Sequence, residues 1–269
     1  MDFTIGHILV TALDFPPPGT LTCNGQLVSV SEKRDLFDLL GTTYGGDGVS
    51  TFGLPNIPAT HTGGPTGPTL SYCIVAEGAP YKSGMEALLG EVRLFPVPPP
   101  GGSTLALTWL PCDGRLLALT HDREVEALYS LLGTTYGGDG ITTFAVPKIA
   151  PIFIANGPPL PFWICVSGIY PSATGDSVTP IYSIPQTYDT YIGTVVLLSY
   201  ASSAADHLSG AARMRGQILP AASPWLPLYT LLGNRFGGTV NATFALPALA
   251  SDPNTLPSVL VYEGLYPNR

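Results

Sequence analysis

Short apolar stretches separated by glycine- and proline-rich punctuation run the length of this chain, and three of them open in the same way. IGHILV at 5–10, LGEVRLF at 89–95 and IGTVVLL at 192–198 combine β-branched and other apolar residues and predict strands. TCNGQLVSV, PCDGRLLAL and RMRGQILPA follow at 22–30, 111–119 and 213–221, each turning at a glycine. The apolar spacing then becomes helical. Leu36, Phe37, Leu39 and Leu40 line one stripe of a helix expected from Glu32 to Leu40, with Ser31 placed as its N-cap. Val125, Leu128, Leu131 and Leu132 repeat the stripe. A glycine stops each helix where a left-handed residue is needed: Gly41, Gly133 and Gly233, 92 and 100 residues apart. STFGLP, TTFAVP and ATFALP come next, and each unit closes on an apolar strand, YCIVAEGAPY, FWICVSGIYP or SVLVYEGLYP.

The pattern is a triple repeat. KSGMEA and PSATGDSVTP read as linkers, which divides the chain into units 1–84, 85–178 and 179–269. The expected fold class is mainly β with one short helix per repeat. Three such units could close into a covalent pseudo-trimer or run as beads. The strongest identity lies between helix and following strand: LLGTTYGGDG at 39–48 and again at 131–140, with LLGNRFGGTV at 231–240 as a weaker copy. The expected structural turn comprises Gly41, Gly45, Gly46, Asp47 and Gly48 in the first unit. Its counterparts are Gly133, Gly137, Gly138, Asp139 and Gly140 in the second, and Gly233, Gly237 and Gly238 in the third.

Composition narrows the function. Charged residues make up 11% of the chain, against roughly 25% in ordinary soluble domains. With 45% hydrophobic residues and 13 tyrosines, the chain is too apolar for disorder. A polar but weakly charged surface favours subunit contact, because few charges need desolvating. The formal net charge of −8 argues against a nucleic-acid partner. The longest apolar stretch, IGTVVLLSYASSAA at 192–205, is too short for membrane insertion. MDFTIGHILV lacks the positive start of a classical signal peptide, so an extracellular location implies release by lysis, in a virion or through a dedicated exporter.

The glycine loop invites comparison with a phosphate cradle, and fails it. A P-loop needs Lys after its second glycine and a helix following; here Asp47 or Asp139 follows, and the helix precedes the loop. One carboxylate per unit is a poor calcium site, so a turn-capping role for Asp47 and Asp139 is favoured. His7, His61, His121 and His207 occupy non-equivalent places, which gives no repeated metal or catalytic cluster. Cys23 and Cys112 are equivalent; Cys73 and Cys165 lie two places apart on the same face of the closing strand. Possible intra-unit disulfides and buried thiols used as small hydrophobes both fit. The sequon NAT at 241–243 lies in the turn motif. No acid, base or nucleophile recurs among the units, so neither enzyme nor cofactor is expected.

These residues carry a resemblance. G-E-V-R-L-F, C-D-G-x-L-L, the L-L-G-T-T-Y-G-G-D-G helix and turn, then T-T-F-x-V-P resemble the phage tail collar domain. The second unit, 89–171, is closest, and its ICVSGIYP resembles the family's closing segment. The third departs most, with Met214, Phe236 and Thr239 where the pattern has Cys, Tyr and Asp. The family includes collar regions of phage short tail fibres and bacterial proteins often labelled microcystin-dependent. The resemblance implies a non-catalytic structural module working in trimers or larger assemblies. The gaps at 56–71, 148–161 and 248–257 are too short for a fibre's receptor-binding insert or its paired-histidine zinc motif. The expected function is a structural protein that self-assembles with copies of itself into an extracellular filament or fibrous appendage. The alternatives are a phage tail fibre or collar component, or an adhesin for a cell-surface glycan or receptor. In the adhesin reading Trp109, Trp163 and Trp225 would serve as sugar platforms, although their positions differ between units.

Overall fold

The structure, a computed structural model, describes residues 4–62, 66–78, 87–96, 108–120, 122–170, 172–174, 181–183, 190–199, 208–249 and 258–267. It is mainly β with three short helices among the described residues. The first unit runs β1 (Ile8–Thr11), β2 (Thr20–Thr22), β3 (Leu27–Ser29), α1 (Arg34–Leu40), β4 (Thr51–Gly53), β5 (Thr60–His61) and β6 (Thr69–Val75). The second runs β7 (Glu91–Leu94), β8 (Trp109–Pro111), β9 (Leu116–Ala118), α2 (Arg123–Leu132), β10 (Thr143–Ala145) and β11 (Phe162–Cys165). A hairpin of β12 (Ser172–Thr174) and β13 (Ile181–Ser183) follows. The third unit has β14 (Thr194–Leu198), β15 (Leu208–Ser209), β16 (Ala211–Arg213), β17 (Ile218–Pro220), α3 (Leu226–Leu232), β18 (Thr243–Ala245) and β19 (Ser258–Val261).

Within each unit the opening strand pairs antiparallel with the closing strand, which pairs in turn with a short edge strand. The three sets are β1–β6–β2, β7–β11–β8 and β14–β19–β16. The units then meet at their opening strands. Ile8 lies opposite Leu94, Val92 opposite Leu197, and Val195 opposite Val10. These are the same two repeat positions taken three times. Each opening strand therefore pairs at its start with one neighbour and at its end with the other, around a pseudo-threefold axis. Of the two arrangements open to three units, the described strands form the closed ring. The unit boundaries expected near 84 and 178 lie outside the described residues. PSATGDSVTP, read as linker, begins with the strand Ser172–Thr174.

Each helix lays leucines on its own unit's sheet. Leu36 and Leu40 pack with Ile8, Phe52 and Ile74; Leu128 and Leu132 with Val92, Phe144 and Ile164; Leu228 and Leu232 with Val195, Phe244 and Leu260. Burial on this scale contributes roughly 2 kcal/mol per leucine. The expected start of α1 is corrected: Lys33 stands at the N-cap without a side-chain capping bond, its ammonium reaching Glu77, and Ser31 Oγ meets Ser29 Oγ at 2.9 Å instead. In α2, Asp122 caps properly by accepting the Glu124 N–H at 2.9 Å.

Candidate functional site

The repeated glycine loop lies where one unit meets the next. At its start Gly41, Gly133 and Gly233 have φ of 55, 54 and 54° with ψ of −137, −139 and −141°. The expected left-handed helical conformation is thereby corrected to a more extended one that only glycine adopts without strain. Each glycine N–H still closes its helix, donating to the carbonyl of Phe37, Tyr129 or Tyr229 at 2.7 Å. Gly46, Gly138 and Gly238 answer a different demand. A Cβ on Gly138 would stand 2.4 Å from Phe144 Cα and 2.5 Å from the Thr143 carbonyl oxygen, with the same clash at Gly46. Here the loop lies flat on the strand that follows it.

Asp47 closes the turn from within. Its Oδ1 accepts the N–H groups of Val49, Ser50 and Thr51 at 2.9, 2.8 and 2.8 Å. Asp139 does the same for Ile141, Thr142 and Thr143 at 3.0, 2.8 and 2.8 Å. The hydroxyl of Ser50 or Thr142 and then these N–H groups hold both carboxyls well below the ordinary carboxylate range. In the third unit the Thr239 carbonyl takes over, accepting from Ala242 and Thr243 at 3.0 and 2.8 Å. The aspartates are thus fully occupied by their own turns.

The loop tyrosine reaches across to the neighbouring unit. The Tyr44 hydroxyl donates to the carbonyl of Pro96, and the Tyr136 hydroxyl to the carbonyl of Ser199 at 2.6 Å. Pro96 and Ser199 are equivalent: each is the second residue past the end of the position shared by Val10, Leu94 and Leu197. The third equivalent is Ala12. There the loop has Phe236 in place of tyrosine, with no hydroxyl to give, and the residue before it closes the ring instead. Arg235 donates to the Ala12 carbonyl at 2.9 Å and to the Thr69 carbonyl at 2.8 Å. Burial pushes the hydroxyls of Tyr44 and Tyr136 up to about 12, so both remain donors at neutral pH.

A second contact reinforces the first seam. Asn156, from the segment between β10 and β11, donates to the carbonyls of Tyr44 and Leu54 at 3.2 and 2.9 Å and accepts the Asn56 N–H at 2.9 Å. Gly157 admits the Tyr44 ring, since a Cβ there would sit 2.4 Å from it. Near the axis the opening strands carry buried polar groups. Arg93 bonds Glu91 at 2.6 Å and lies over the Trp109 ring, 5.4 Å from its centroid. His7, the counterpart of Glu91, is pushed well below its ordinary value by burial and then by Arg93.

The remaining candidates are dispersed. Cys23, Cys73, Cys112 and Cys165 are free, buried thiols. Cys112 packs with Leu128 and Phe144, whereas Cys165 packs with Phe95 and Trp109. Burial raises all four, Cys73 to about 11 and Cys165 to about 12. His61 is exposed and its Nδ1 meets the Gly67 carbonyl; His121 and His207 lie outside the described residues. Trp109 is buried, and Trp225 packs on Tyr262 at 4.2 Å between ring centroids. Asn241 is exposed, with its N–H donated to Tyr229 Oη at 2.9 Å. Among the described residues no group of three or more His, Cys, Asp or Glu stands together as a metal site, and no helix is long and apolar enough to cross a membrane.

What the sequence reading missed is the seam itself. Its signal was present in the loop: Thr-Thr-Tyr becomes Asn-Arg-Phe in the third copy, so the lost hydroxyl coincides with a gained guanidinium. Against known proteins, the phage tail collar domain matches residues 6–60 and 90–154. No curated protein and no solved structure matches the chain.

Proposed function

Because this chain carries the phage tail collar domain, matched in two of its units, we propose that it is a non-enzymatic structural subunit of a tail or fibre. The match itself points to a virion-associated tail component. Three further elements make up the proposal. The third unit, 179–269, is a diverged collar module; the single chain supplies the trimer that such modules form; and copies of it assemble outside the cell into a filament or fibrous appendage. The observation that carries this reading is the use made of the glycine loop. Its glycines, aspartates and aromatic residues are engaged in the turn and in the seam, and the motif is spent on joining units. The weakly charged surface supports contact between copies, and a head-to-tail contact that does not close yields a filament.

Negative-stain microscopy of the purified protein across a concentration series tests the proposal. Filaments or stacked particles are the expected result. Particles that stay monodisperse at every concentration and bind a glycan array would establish the adhesin reading in its place.

A further inference from the structure

The segment between β10 and β11 carries the dipeptide Asn156-Gly157, and the first seam needs both residues. Asn156 uses each end of its amide there. Nδ2 donates to the carbonyls of Tyr44 and Leu54 at 3.2 and 2.9 Å, and Oδ1 accepts the Asn56 N–H at 2.9 Å. An ionised aspartate would have no hydrogen to give those two carbonyls. At Gly157 a Cβ would stand 2.4 and 2.5 Å from Cδ1 and Cε1 of Tyr44, so no larger residue fits. The pair that packing selects is also one that closes readily on itself. With no Cβ, glycine leaves its own backbone nitrogen unhindered for attack on the preceding side chain. The chain holds a second such pair, Asn24-Gly25, at the turn between β2 and β3. Asn24 is exposed, and its Oδ1 accepts the Gln26 N–H of the same turn at 3.1 Å.

We infer that Asn156 is a deamidation site which the closed ring holds in check, and whose conversion bars the first seam from closing again. The reaction needs only water. The Gly157 nitrogen loses its proton to solvent base and attacks Asn156 Cγ; the new N–C bond forms, the Cγ–Nδ2 bond breaks, and Nδ2 leaves as ammonia. Water then opens the resulting succinimide at either carbonyl, giving aspartate or isoaspartate. Nothing is oxidised or reduced. In the closed ring this attack is opposed, because it makes Cγ tetrahedral and carries Nδ2 away from both carbonyls it bonds. Opening of the seam removes that restraint. The products do not fit the closed ring. A carboxylate at 156 faces the Tyr44 and Leu54 carbonyls, acceptor against acceptor. Isoaspartate also lengthens the backbone by one carbon and moves Gly157 off the Tyr44 ring. Conversion of Asn24 has no such cost. Its counterpart in the second unit is already Asp113, whose Oδ1 accepts the Arg115 N–H at 3.1 Å in the same turn. Of the two pairs, Asn156-Gly157 therefore records whether the ring has stayed shut.

The test is to hold the full chain at pH 8, folded and in urea, and to follow the amide-to-acid mass change at both pairs by peptide mapping. In urea the two pairs should convert together. In the folded protein Asn156 should convert at least about 100-fold more slowly than in urea, the factor expected when three hydrogen bonds must open first. Tyr44→Phe removes the hydroxyl bonded to the Pro96 carbonyl; it should speed conversion of Asn156 at least about 5-fold and leave Asn24 unchanged. Asn156→Asp, the product made directly, should melt about 5 °C or more below wild type or fail to fold, whereas Asn24→Asp should melt as wild type does. Equal rates at Asn156 in the folded and unfolded chain overturn the protection. A Tyr44→Phe rate equal to that of wild type overturns its link to the seam. An Asn156→Asp chain as stable as wild type overturns the bar to reclosure.

Discussion

Replacing Tyr136 with Phe removes one oxygen from the structure, and that oxygen closes the seam between the second and third units. The hydroxyl donates to the Ser199 carbonyl at 2.6 Å, and Ser199 is buried. Its net contribution is about 1 kcal/mol, and a buried carbonyl left without its partner costs about 1–3 kcal/mol. Water that reaches the carbonyl recovers part of the loss, so a destabilisation of about 2 kcal/mol is expected. The ring of Tyr136 remains, and Phe236 shows that phenylalanine is accepted at this position of the loop. The variant therefore isolates the hydrogen bond. For a chain of 269 residues, this corresponds to a fall in melting temperature of about 4–8 °C. Urea titration should show the midpoint falling with the slope unchanged, which marks lost stability without a change in the surface exposed on unfolding. A loss below about 0.5 kcal/mol would refute the reasoning, because the seam would then be held by its strand pairing, the Ser199–Gly90 bonds and apolar contacts without the tyrosine.

Other consequences are equally open to measurement. Arg235→Met leaves the carbonyls of Ala12 and Thr69 without their guanidinium and should cost about 2–4 kcal/mol in urea titration, with the first and third units separating earlier under limited proteolysis. Gly138→Ala forces a Cβ to within 2.4 Å of Phe144 Cα; a loss of about 3 kcal/mol or more is expected, and a variant as stable as wild type would contradict the close approach. Asp47 and Asp139 have folded-state pKa values below the unfolded ones, so their contribution is present above the ordinary carboxylate range and is lost as pH falls through the lower folded values. The double variant Asp47→Asn, Asp139→Asn should accordingly flatten the acid limb of the stability–pH curve. The four cysteines, buried and raised, should resist iodoacetamide at pH 8 in the folded protein and give four alkylated thiols after unfolding without reductant. Fewer than four would reveal a disulfide.

Much of the fold was legible because repetition multiplies weak local signals. The spacing of Leu128, Leu131 and Leu132 gave the helix, and the glycine after it gave the stop, three times over. The cap of α1 was misread since Ser31 had a competing hydroxyl partner in Ser29, a choice that propensity does not encode. The ring could be named from the sequence, as one of two arrangements, but not chosen, for a different reason. Whether opening strands pair with one another depends on contacts between residues far apart in sequence, such as Ile8 with Leu94 and Val10 with Val195. The apolar pattern of IGHILV is the same whether its free edge meets a neighbour unit or another chain. Asp47 and Asp139 could be placed from the sequence because their partners lie within four residues. Tyr136 could not, because its partner lies 63 residues away.

Carrying three modules on one polypeptide changes how a ring answers to dilution and to mutation. Three separate copies would fall apart below their association constant, whereas tethered modules face one another at an effective concentration of order millimolar whatever the amount of protein present. Their stoichiometry is fixed at synthesis. A coding change in a separate-copy ring is also written into every junction at once; here each junction is encoded in its own stretch of sequence. Two junctions keep a tyrosine while the third is held by Arg235, an exchange that an identical-subunit ring could make only at all three places together.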